Sequence, residues 1–64
     1  MNKELESLLI EVLPYITHVE EVKELFSKVN SLKELKEILI KKLEEENDIT
    51  KKTDYKIILQ KIGM

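Results

Sequence analysis

Apolar residues recur at helical spacing along most of this 64-residue chain. Leu5, Leu8, Leu9, Val12, Leu13 and Ile16 follow i, i+3, i+4, i+7, i+8, i+11, one stripe of a helix. Asn2 stands before the stripe as an N-cap, and Glu4 lies in the first turn, where the helix dipole favours an acid. Pro14 interrupts the pattern, because it offers no N–H to the Ile10 carbonyl and disfavours helix at Leu13. A first helix is expected over about 3–13, ending there or kinking to add one turn.

Thr17-His18-Val19-Glu20 reads as a capping box, with the Thr17 hydroxyl as cap and Glu20 reaching back. Val19, Val22, Leu25, Phe26 and Val29 form the stripe of a second helix, about 18–29, and Asn30 suits its C-terminus. Ser31-Leu32-Lys33-Glu34 is a second capping box, opening a third helix over about 32–46 that carries Leu32, Leu35, Ile38, Leu39 and Leu43. The joint between these helices is expected to be Asn30-Ser31. Glu44-Glu45-Glu46 places acids at a helix C-terminus, where the dipole disfavours them, so fraying is expected near Asn47-Asp48.

Thr50 to Thr53 reads as a loop, with Thr53 capping a fourth helix over about 54–62. Tyr55, Ile58, Leu59 and Ile62 give its stripe, and Gly63 falls where a C′ glycine belongs. A strand over Tyr55 to Leu59 is the alternative for this β-branched run. The expected fold is all-α: one domain, 1–64, a compact bundle of three to four short helices. Residues 3–13 resemble 33–43, but two amphipathic helices drawn from a small alphabet look alike without duplication.

Composition narrows the function classes. A chain this short buries only about 60% of its unfolded surface, so its stability is marginal without a helper. There is no cysteine and a single histidine, which removes disulfides and thiolate metal sites. With 38% charged and 42% hydrophobic residues, the chain is too apolar for disorder and too charged for a membrane protein. No apolar leader follows Lys3, and a cytoplasmic location is expected. Ala and Arg, favoured in designed helices, are absent, which points to a natural sequence from an AT-rich genome; the Lys/Glu/Ile bias also fits a thermophile.

Little chemistry is encoded. His18 has no nucleophile placed with it and reads as a boundary residue of the second helix. Glu44, Glu45, Glu46 and Asp48 lack the glycine turn of a calcium loop and read as a solvated helix end. No glycine-rich loop, cofactor motif or small-molecule site is evident, and an enzyme is not expected. Lys41, Lys42, Lys51, Lys52, Lys56 and Lys61 make the C-terminal third basic. They are the basis of an alternative reading, a helical nucleic-acid binder, although no arginine is present for bidentate recognition.

The residues off the stripes carry the main expectation. Ile10 lies roughly 130° from the centre of its stripe, Ile40 roughly 110° and Ile57 roughly 150°. Either these helices are sandwiched between two neighbours, or the isoleucines form a second apolar surface, with Tyr15 at its rim. The expected function is a small non-catalytic protein-interaction module, an adaptor, inhibitor or regulatory subunit that binds a protein partner or itself as a homo-oligomer.

Overall fold

The computed structural model describes residues 2–63. Four α-helices follow in order: α1 (Lys3–Val12), α2 (Val19–Ser27), α3 (Leu32–Glu45) and α4 (Ile49–Ile62). No strand occurs among the described residues, so Tyr55 to Leu59 is helical. Pro14 has the expected effect: α1 stops at Val12 and a 3-10 turn, Leu13–Tyr15, carries the chain away.

Local capping explains three of the four starts. The Leu5 N–H donates to Asn2 Oδ1 at 2.8 Å, and Asn2 Nδ2 donates to the Asn30 carbonyl at 2.8 Å, tying the start of α1 to the α2–α3 joint. The Ser31 capping box forms with a one-residue shift. Glu34 N–H donates to Ser31 Oγ at 3.2 Å, but the Glu34 carboxylate accepts from the Asn30 N–H at 2.7 Å. The joint is also longer than Asn30-Ser31, because α2 ends at Ser27.

The fourth helix begins earlier than 54. Asp48 is its N-cap, accepting from the Thr50 N–H at 2.9 Å and from the Thr50 hydroxyl at 2.6 Å. Thr53 is therefore no cap; its hydroxyl donates to the Ile49 carbonyl one turn back. The expected interruption near Asn47-Asp48 is a three-residue joint, 46–48, in which Glu46 Oε2 accepts from the Asn47 and Asp48 N–H groups at 3.2 and 3.1 Å.

The Thr17 capping box does not form. His18 occupies the N-cap of α2 and makes no side-chain cap bond. Instead Asp54, from the second turn of α4, accepts from the Thr17 N–H at 3.0 Å and the His18 N–H at 2.8 Å. A carboxylate is a stronger acceptor than a hydroxyl, and here it also faces the positive end of a helix. Asp54 is only 1% exposed, so its charge is met by backbone dipoles and not by water.

The core comprises Leu5, Leu8, Val12 and Ile16 from the first segment, Val22, Leu25, Phe26 and Val29 from the second, Leu35 and Leu39 from α3, and Tyr55 and Ile58 from α4. Phe26 is fully buried at its centre, a burial that contributes about 2–3 kcal/mol. The α3–α4 hairpin shares the largest interface, and α4 also packs on α1. Asp54 meets Thr17 and His18, and Lys61 meets Glu11, so both ends of α4 are tied to the first half of the chain. The radius of gyration, 10.5 Å, is that of a close-packed globule of this length.

These contacts predict a stability ranking. Asp54→Asn should cost roughly 1–3 kcal/mol, since it weakens a buried charged acceptor, and Ser31→Ala about 1 kcal/mol. Thr17→Ala should stay within about 0.5 kcal/mol. Urea denaturation of the three variants checks this order; a Thr17 loss as large as that of Asp54 contradicts it.

Candidate interaction surface

Apolar side chains meet solvent at the C-terminal end of α1. Ile10 and Tyr15 are each 64% exposed, and Pro14 between them is exposed as well. Ile10 and Pro14 stand four residues apart, one turn of helix, and half-buried Leu13 lies beside them. The 3-10 turn makes this surface: by ending α1 at Val12, it returns Ile16 to the core and leaves Tyr15 outside.

Of the other off-stripe isoleucines, Ile40 on α3 is 43% exposed, whereas Ile57 is partly buried against the core. Ile57 is therefore not a free surface residue. The α4 helix packs on both α1 and α3, which widens its buried arc beyond the stripe read from one helix. Sequence periodicity also missed Ile49, the first residue of α4 and 77% exposed. The signal was Asp48 as an N-cap, which puts Ile49 at the helix start with no partner before it.

Two of the six C-terminal lysines fasten α4 to its neighbours. Lys51 Nζ lies 3.4 Å from Glu21 on α2, and Lys61 Nζ lies 3.2 Å from Glu11 on α1. The Glu21 carboxylate beside Lys51 raises that ammonium above its ordinary pKa. Lys41, Lys42 and Lys56 are exposed and Lys52 is half-exposed; none of the four makes an ion pair among the described residues.

His18 belongs to a second feature, a groove of about 450 Å³ between α2 and the α3–α4 hairpin. His18 Nε2 lies 2.9 Å from Thr50 Oγ1. The single Thr50 hydroxyl proton goes to Asp48, so the Thr50 oxygen accepts and His18 carries its proton on Nε2. The two Thr50 hydrogen bonds, from hydroxyl and backbone, hold Asp48 below the ordinary aspartate pKa. The imidazole thus ties α2 to α4 as a donor and does not draw a proton from Thr50. Tyr55 lines the same groove, and burial together with the Glu46 and Glu21 charges raises its phenol above the ordinary value.

Among the described residues, no cluster of three or more His, Cys, Asp or Glu side chains has metal-site geometry. No described helix is long and apolar enough to cross a membrane.

The fold defines a class, the small four-helix all-α proteins, without selecting an activity. Within that class the chain belongs to the MJ1579 family, whose model matches residues 2–64. A protein of Methanocaldococcus jannaschii, described as uncharacterized protein MJ1579, is similar to it: 55% identical over 61 residues, covering 95% of this chain and 87% of the relative. No solved structure matches the chain.

Tyr55 gives this region a pH signature. Its folded pKa exceeds the unfolded value near 10.0, so the native state holds the proton longer. Stability should be intact below about pH 10 and fall as pH rises through the folded pKa. In Glu46→Gln, ultraviolet titration should find the phenol closer to its ordinary value, with the part due to burial remaining. An unchanged titration in that variant contradicts the assigned cause.

Proposed function

We propose that this protein is a small non-catalytic protein-interaction module, acting as an adaptor, inhibitor or regulatory subunit. The observation that carries this reading is the paired exposure of Ile10 and Tyr15 around the Pro14 turn. An aromatic ring and an isoleucine left to solvent on either side of one turn are residue types that anchor binding surfaces. Exposed Glu6 and Glu11 flank Ile10 on α1, the kind of polar rim that surrounds an interface centre.

The nucleic-acid reading has less support. Lys51 and Lys61 already face glutamates within the fold, and lysine supplies only point charges to phosphate.

Ile10→Glu should leave the helical circular dichroism unchanged and abolish recovery of the partner protein retained by the wild-type chain. Sedimentation of the wild type and variant then separates a foreign partner from a second copy. Unfolding of Ile10→Glu as a monomer makes Ile10 part of the core and removes this surface. Undiminished partner recovery by Ile10→Glu and by Tyr15→Ala removes the reading as well.

A further inference from the structure

We infer that the outer face of α3 binds a second copy of this chain, forming a two-fold symmetric dimer with the two α3 helices antiparallel. Lys36, Ile40 and Glu44 form a ridge on α3, spaced about one turn apart. Ile40, at its middle, is 43% exposed, and both charged residues are exposed as well. The ridge lies roughly 160° around the helix from Ile38, so it faces away from the groove. It shares no residue with the Ile10–Tyr15 surface, and the inference stands independently of the function proposed above.

The order of the charges selects the occupant. Lys36 and Glu44 stand about 6 Å along the helix on opposite sides of Ile40. Reversing a second α3 about Ile40 sets its Glu44 beside Lys36 and its Lys36 beside Glu44. The two Ile40 side chains then meet at the axis. One symmetric operation thus covers the apolar residue and forms two opposite-charge pairs, the self-complementarity that an isologous interface requires. A crossing angle of about −50°, common for ridges of four-residue spacing, brings the two ridges parallel. Neither charge has an ion-pair partner among the described residues. Lys36 has no acid within reach along its own helix, since the residues three and four away are Leu32, Lys33, Leu39 and Ile40. A parallel second copy would set Lys36 against Lys36 and Glu44 against Glu44, so the pattern also rejects the other direction. The α1 surface has no such fit to itself, because the same operation about Ile10 sets Glu6 against Pro14. One helix face is a small interface, so the dimer is weak and concentration-dependent.

Sedimentation equilibrium from about 1 μM to about 1 mM tests this, the range in which weak interfaces form. The wild type should dimerise within it. Lys36→Glu and Glu44→Lys are exposed changes that should leave the helical circular dichroism intact. Each should weaken the dimer about tenfold or more, because two attractive pairs become repulsive. Mixing the two variants should restore association, since a Lys36→Glu chain facing a Glu44→Lys chain regains both pairs. The double variant should dimerise alone, as the wild type does, and folded Ile40→Glu should be monomeric. A wild type that stays monomeric at about 1 mM overturns the proposal. So does a dimer that both single reversals leave unchanged, or a mixture that associates no better than its components. A dimer abolished by Ile10→Glu but not by Ile40→Glu overturns it as well, and moves self-association to the α1 surface.

Discussion

A buried carboxylate, Asp54, sets the arrangement of this bundle. It draws the Thr17 and His18 N–H groups, 37 and 36 residues away in sequence, onto the second turn of α4. Hydrophobic burial drives the chain to collapse, but it is not directional. Leu and Ile stripes of similar shape tolerate sliding, whereas two hydrogen bonds to one carboxylate do not. With Asp54 seated at the start of α2, Lys51 and Lys61 of α4 lie within reach of Glu21 and Glu11. Breaking the seat leaves an unpaired charge in the interior, the expensive outcome for a small core.

How far the sequence reveals this fold depends on the range of each interaction. The starts of α1 and α3 were legible because Asn2 and Ser31 cap within their own turns. The end of α1 was legible because proline's effect is local. The start of α2 was misread for the opposite reason: Thr17 and Glu20 have capping spacing, but a distant carboxylate takes the backbone donors. The start of α4 was hidden because its first turn is polar and Asp48 follows an acidic run that resembles a fraying end. Asp54 itself left a trace. It sits four residues before Ile58, on the buried side of the Tyr55–Ile58 stripe, a position where an acid needs an internal partner.

The candidate surface was read in part. Angles measured about each helix alone correctly set Ile10 and Ile40 toward solvent, but they set Ile57 there too. A helix with neighbours on two sides buries more than one stripe, and periodicity within a helix carries no information about its neighbours. The groove was not legible at all, since His18, Glu21, Glu46 and Tyr55 converge only after three helices pack. The fold therefore separates two kinds of surface. One is apolar and made by a local proline turn; the other is polar-ended and made by tertiary geometry.

The central claim is that Asp54 holds the start of α2, and native-state amide hydrogen exchange tests it most directly. Neither the Thr17 nor the His18 N–H lies within a helix ladder, so without Asp54 both should exchange freely. The account predicts that both are protected and open with a free energy approaching that of the Phe26 amide in the core helix. Exchange of these two amides at the rate of an unstructured peptide would contradict it.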